Sequence, residues 1–127
     1  MAIWHGESGR KRTGGRIKLS RKKRKYELGN GSINPRIGEE SRVNARTKGG
    51  NIKVKVSSLS FINVVDAKSN VTKNVKVLDV IENPANTDLV RRKIVTKGTV
   101  VNTELGKAKI TSRPTQNGTA NAVLISQ

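Results

Sequence analysis

Apolar and polar residues alternate strictly along Ile52-Lys53-Val54-Lys55-Val56. A period of two sends alternate side chains to opposite faces, so this segment reads as a strand with one apolar and one basic face. The same period starts at Ser41, where Val43 and Ala45 alternate with polar residues before a turn at Lys48-Gly49-Gly50. Leu59 to Val65 reads as a second, mostly apolar strand, and Asp66 to Asn70 as a turn. Val71 to Ile81 reads as a long strand. Its apolar parity shifts between Val77 and Leu78, which predicts a bulge or a sharp bend.

Glu82-Asn83-Pro84-Ala85-Asn86 breaks that strand, and Thr87 can cap one short helical turn running to Arg92. Ile94-Val95 reads as a brief strand, followed by a turn at Lys97-Gly98. Val100 to Thr103 and Lys107 to Ser112 read as a hairpin about Leu105-Gly106. Asn117-Gly118 predicts a tight turn, and Ala120 to Ile125 a last strand. Several short strands at close spacing, without a long helix, predict an all-β fold: a small antiparallel β-barrel-like domain or sandwich over residues 41–127. No internal repeat points to a solenoid or propeller.

Residues 1–40 follow a different pattern. Glycines at 6, 9, 14, 15, 29, 31 and 38 interrupt any helix. Arg21 to Leu28 could form a short helix ended by Gly29 once its charge is neutralised. The segment is expected to be a basic, Gly-rich arm that is disordered in isolation, because it buries too little to offset ordering entropy. Valine usage marks the same division: 13 of 14 valines follow residue 50.

Charge makes the arm informative. Ten of the sixteen residues from Arg10 to Lys25 are Lys or Arg and none is acidic. Over all 127 residues the formal net charge is +17. So much like charge resists compaction unless anions neutralise it, and a nucleic-acid backbone supplies anions at regular spacing. Interleaved glycines let the chain follow an irregular phosphate surface closely.

Other chemistry is poorly supported. There is no cysteine, which excludes disulfides, thiol catalysis and Cys-based zinc sites. His5 is the single histidine, and the nine carboxylates are scattered. Neither a metal site nor a Ser-His-Asp triad can be assembled from them. The glycine pairs at 14–15 and 49–50 fit neither a Walker A loop nor a dinucleotide fingerprint. No enzymatic activity, cofactor, metal, small-molecule substrate or membrane partner is expected. The N-terminus has no apolar signal core, so an intracellular, soluble protein is expected.

Aromatics are limited to Trp4, Tyr26 and Phe61. Phe61 reads as a core residue. Base reading by a stacking sheet is therefore disfavoured, and recognition of shape and backbone favoured. Trp4 and Tyr26, in the arm, could wedge into an RNA groove or pack on a neighbouring protein.

Three stretches carry a resemblance. They are Trp4-His5-Gly6 with Arg10-Lys11-Arg12-Thr13-Gly14-Gly15-Arg16, then Arg21 to Gly29, then Arg46-Thr47-Lys48-Gly49-Gly50-Asn51-Ile52-Lys53. With Val80 to Asn86, Ile94 to Gly98 and Thr111-Ser112-Arg113-Pro114, they resemble, in order along nearly the whole chain, small-subunit ribosomal protein eight of the archaeal and eukaryotic type. The compact length resembles archaeal members. Gln116-Asn117 departs from the family's Gly-Gln followed by Asp. The resemblance implies a structural component of the cytoplasmic ribosome that binds small-subunit rRNA beside other small-subunit proteins. A ribosome-assembly factor on the same domain, or a free-standing basic nucleic-acid binder, is the alternative.

From charge and these motifs together, the expected rRNA-binding set in the arm is Trp4, His5, Arg10, Lys11, Arg12, Arg16, Lys18, Arg21, Lys22, Lys23, Arg24 and Lys25. In the β-domain it is Arg46, Lys48, Lys53, Lys55, Arg91, Arg92 and Arg113.

Overall fold

The computed structural model describes Ile3, Trp4, Gly6 and residues 8–125. The chain divides into two compact units, Met1–Ser32 and Ile33–Gln127.

The first unit is small and mostly exposed. Strand β1 (Ile3–Trp4) pairs antiparallel with β2 (Leu28–Gly29), Trp4 standing opposite Leu28. Between them lies a tight turn at Lys11–Gly15. The Lys11 amide donates to the Gly15 carbonyl at 2.8 Å and the Gly14 amide to the Lys11 carbonyl at 3.0 Å. Gly14 sits at φ 84°, a conformation that glycine adopts without steric cost. Between Arg21 and Leu28, read above as able to form a short helix once its charge is neutralised, the chain forms the single 3-10 turn Lys25–Glu27. On a helix Arg21 would share a face with Arg24 and Lys25, and Lys22 with Lys25, where like charges repel, and the single carboxylate of the turn, Glu27, is engaged by Arg21. Nor is the segment uniformly extended, because the strand pair and this turn tie it to itself.

The second unit is built on strands, in chain order β3 (Arg36–Ile37), β4 (Ser41–Arg46), β5 (Ile52–Leu59), β6 (Phe61–Asp66) and β7 (Val71–Glu82). Helix α1 (Thr87–Arg91) follows, then β8 (Val100–Thr103), β9 (Gly106–Ile110), helix α2 (Pro114–Asn117) and β10 (Asn121–Leu124). A closed barrel runs in the order β10-β6-β7-β8-β9, and β3-β5-β4 forms a three-stranded sheet. Neighbouring barrel strands are antiparallel except β6 and β10, which close the barrel in parallel register with Ala122 opposite Val64.

Alternation accounts for the core. Ile62, Val64, Val75, Val77, Val101, Ala108, Ile110 and Ala122 point inward and are buried, joined by Val56 and Leu59 from β5. The parity shift seen in the sequence is a register irregularity between Val77 and Asp79, with a second between Val80 and Glu82. Each inserts a residue, leaving Leu78 and Ile81 on the exposed side, as an unpaired bulge residue requires.

Several expectations are corrected. The run from Leu59 to Val65 is not one strand, because β5 ends at Leu59 and β6 begins at Phe61. Phe61 is not a core residue. Parity with the buried Ile62 places it on the outer wall, 52% exposed. Asn86, not Thr87, caps α1, its Oδ1 accepting from the Asp88 amide at 2.8 Å. Asn117-Gly118 is not a two-residue tight turn: between the antiparallel strands β9 and β10, Pro114 starts a short helix and Gly118 ends it in the left-handed region at φ 72°, as helix C-termini favour. Ile94-Val95 contributes an isolated bridge from Ile94 to Arg36 rather than a strand.

One buried polar side chain is hydrogen-bonded through both its amide nitrogen and its amide oxygen. Asn83, 3% exposed, donates to Thr96 Oγ1 at 3.0 Å and accepts from the Ala85 amide at 3.1 Å. The amide side chain thus pins the chain on both sides of Pro84, where the long strand ends.

Candidate nucleic-acid interface

Two basic projections stand out, one in each unit. In the first, Arg10 bridges antiparallel to Arg16, and the Arg10 guanidinium donates to the Gly14 carbonyl at 2.9 Å. The tight turn therefore gathers Arg10, Lys11, Arg12 and Arg16 onto one small loop with every one of them exposed. Lys18 follows, also exposed.

The next basic cluster is braced by one carboxylate. Arg21 donates to Glu27 through Nη1 at 3.1 Å and through Nη2 at 2.6 Å. The Arg24 amide adds a third bond to the same carboxylate at 3.0 Å. Glu27 is held below the usual carboxylate range, first by the Arg21 hydrogen bonds and then by the Arg24 amide. Reciprocally, Arg21 is raised by Glu27. Arg21 thus serves as a strut for the loop, while Lys22, Lys23, Arg24 and Lys25 project from it exposed.

Trp4 lies against this loop, with the Lys23 ammonium 5.1 Å from its ring centroid, within cation–π range. Its indole N–H is buried and finds no acceptor among the described residues. A Cβ on Gly6 would overlap the same ring, so glycine is required where the chain passes over the indole. Tyr26 is 81% exposed. His5, expected in the binding set, lies outside the described residues.

In the second unit the projection is the β4–β5 hairpin. Its tip, Lys48–Gly50, carries Gly49 and Gly50 both at φ 75°. Pairing places Arg46 opposite Ile52, Ala45 opposite Lys53, Asn44 opposite Val54, Val43 opposite Lys55 and Arg42 opposite Val56. Directly opposed residues share a face. One face therefore carries Arg42 and Arg46 beside Ile52 and Val54, and the other carries Lys53 and Lys55 beside Val43 and Ala45. The single basic face that β5 shows alone becomes a ribbon basic on both sides. Only at Val56 and Leu59 does β5 enter the core; Ile52 is 68% exposed.

Helix α2 packs against β5, which brings Arg113, its exposed N-cap, to the hairpin. Arg91 and Arg92 are exposed at the end of α1, and Arg91 is paired with Asp88 at 2.9 Å. Arg42 was missed. Its signal was the spacing Arg42-x-Asn44-x-Arg46, which puts two guanidinium groups on one face of a strand.

Exposed basic residues gathered on glycine turns direct attention to polyanion binding. Residues 4–125 match the family Ribosomal protein S8e. The chain belongs to the ribosomal protein S8e family. It is 48% identical over 125 residues to "Small ribosomal subunit protein eS8" of Methanosphaera stadtmanae, covering 98% of this chain and 99% of that one. To the proteins of the same name from Methanococcus aeolicus and Sulfurisphaera tokodaii it is 44% and 45% identical, over the full length of both chains in each case. Membership in this S8e family makes the chain a structural ribosomal protein and not an enzyme. Among the described residues, no helix is long and apolar enough to cross a membrane.

Proposed function

We propose that the chain is a constituent of the small ribosomal subunit, in the cytoplasmic ribosome, that binds and stabilises the subunit's large rRNA and packs beside neighbouring small-subunit proteins. The observation that carries this reading is the pair of exposed basic projections, the arm with its two loops and the β4–β5 hairpin. In the arm, Arg10, Lys11, Arg12, Arg16, Lys18 and Lys22 to Lys25 neutralise closely spaced phosphates, with Arg21 holding their loop in shape. In the barrel unit, Arg46, Lys48, Lys53, Lys55 and Arg113, joined by Arg42, form a second phosphate-facing surface. Arg91 and Arg92 extend basic surface at α1.

Guanidinium groups can fork onto phosphate oxygens, and lysines contribute mobile point charges. Roughly 8–10 phosphate contacts would release enough counterions for a log–log salt slope of about −6 to −9. The test is a salt-stepped sucrose gradient of native lysate, blotted for this chain. Co-sedimentation with mature small subunits at moderate salt is expected. Sedimentation with precursor particles alone would instead indicate an assembly factor. A signal only at the top of the gradient would indicate a free nucleic-acid binder.

A further inference from the structure

Phe61 opens β6 on the outer wall of the barrel and leaves 52% of its surface in solvent. Its cross-strand partner is Lys76 on β7. Two residues along the same face, Asn63 stands opposite Asn74 on β7 and Asn121 on β10. Their side chains are joined in a row: Asn74 Nδ2 donates to Asn63 Oδ1 at 2.9 Å, and Asn63 Nδ2 donates to Asn121 Oδ1 at 3.1 Å. A carboxamide has two donor hydrogens and two acceptor lone pairs, so each link of this row leaves hydrogen-bonding capacity pointing outward. Phe61, Asn63 and Asn74 line one cleft, whose other walls include Glu40, Arg42 and Thr119. Glu40 and Arg42 are paired with each other.

We propose that this cleft receives one unstacked nucleotide of the small-subunit rRNA, a reading that rests on the rRNA binding proposed above. The base lies on the Phe61 ring, its edge meets the Asn63 and Asn74 amides, and its phosphate lies toward Lys76. Three features favour this occupant over an apolar side chain from a neighbouring protein. A planar base covers the ring while offering donors and acceptors at its edge, whereas an aliphatic side chain would seal the amide row from water with its remaining groups unmet, which is costly. Lys76, directly opposite Phe61 on the neighbouring strand, supplies a cation beside the ring for the nucleotide's negative charge. The Arg42 guanidinium offsets Glu40, so the carboxylate is left as an acceptor for a base N–H. The base must be unstacked, because neighbours in a duplex already cover both of its faces. Phe61 thus adds a single-base contact to a surface that otherwise reads backbone charge.

The test compares the full-length chain with its Phe61→Leu and Phe61→Tyr variants on purified small-subunit rRNA, by chemical probing of base edges and by titration. Leucine keeps apolar bulk and removes the aromatic face; tyrosine keeps the face. Wild type and Phe61→Tyr are expected to protect a discrete unpaired base that Phe61→Leu exposes, with the remaining footprint and the salt slope unchanged. Affinity should fall about five- to hundredfold for Phe61→Leu, the range for loss of one base–aromatic stack. Wild-type affinity and base protection in Phe61→Leu would overturn the proposal while leaving rRNA binding intact. Absence of any wild-type footprint on the rRNA would overturn the parent reading, and this proposal with it.

Discussion

Gly118 is pressed against Val54. A Cβ at position 118 would lie 3.1 Å from the Val54 Cβ and 3.2 Å from the Val54 carbonyl oxygen. The contact braces the basic hairpin against α2, and it coincides with a backbone at φ 72°. Two independent costs therefore meet at one residue: the left-handed conformation, which disfavours any residue with a Cβ, and the crowding against β5.

Gly118→Ala should consequently destabilise the protein by more than the ~1 kcal/mol that the left-handed conformation alone costs. For a unit of this size each kcal/mol lowers the melting temperature by roughly 4–8 °C. Thermal unfolding followed by circular dichroism measures the change. Gly118→Asn separates the causes, since asparagine tolerates the left-handed region but still carries a Cβ. Asparagine should recover part of the loss. A variant as stable as wild type in both cases would mean that the hairpin is not braced here.

Ile62 and Ile52 give a second prediction, because the same truncation should be costly at one and nearly neutral at the other. Ile62 is 1% exposed within the barrel and Ile52 is 68% exposed on the hairpin. Ile62→Ala leaves a cavity among close-packed side chains and should cost about 2–5 kcal/mol. Ile52→Ala removes atoms already in water and should stay within about 0.5 kcal/mol. Urea denaturation with an unchanged m-value distinguishes the two. A large loss for Ile52→Ala would show that the hairpin face is buried in the free protein.

These residues also show what the sequence could tell. Period-two alternation revealed β5 and β7, and the parity shift at Val77 and Leu78 revealed the bulge, because both are local consequences of the pleat. The β-barrel class followed from the same pattern. The parallel closure between Val64 and Ala122 did not, since periodicity carries no information about partners. Phe61 was misjudged because it lies in an apolar run with residues on both faces, where parity is ambiguous until Ser60 is known to separate β5 from β6. Asn117-Gly118 favours a tight turn by local preference, but Pro114 starts a helix three residues earlier and gives Gly118 the different task of ending it. The basic character of the first unit was legible from composition alone. The bracing of its loop by Glu27 was not, because Arg21 is six residues away in a segment without regular secondary structure.

The barrel unit should also show a defined acid response. Asp66 is held below the usual carboxylate range, first by the Ser69 hydroxyl and then by the Lys68 amide. Asp79 is held low first by the Val80 amide and then by Lys93, whose ammonium is 3.1 Å away. A carboxyl with a depressed folded value contributes stability above its unfolded pKa, about 3.9 for aspartate, and loses it as pH falls through the folded value. Stability from these two groups should therefore be level between about pH 5 and 7 and decline below about pH 4. Asp66→Asn should weaken that decline in pH-dependent urea titrations. An acid limb of unchanged steepness would assign the response to other carboxylates.

Glu27 has the same sign but a local readout. Its carboxylate gathers the two Arg21 bonds and the Arg24 amide, and the loop it closes carries Lys23 over Trp4, the single tryptophan of the chain. Protonation of Glu27 removes the charge that holds Arg21, so Arg21 is released and the loop loosens around the indole. Because the folded value is depressed, this ordering is complete above the unfolded pKa of about 4.3 and is lost only as pH falls below it. Trp4 emission should be constant from about pH 7 to 5 and shift below about pH 4. Glu27→Gln keeps the side-chain shape but not the charge, so its emission at neutral pH should already resemble that of acidified wild type and should titrate little. If Glu27→Gln retains both the wild-type emission and the acid shift, the Arg21–Glu27 fork does not order the loop, and the signal must arise from another group.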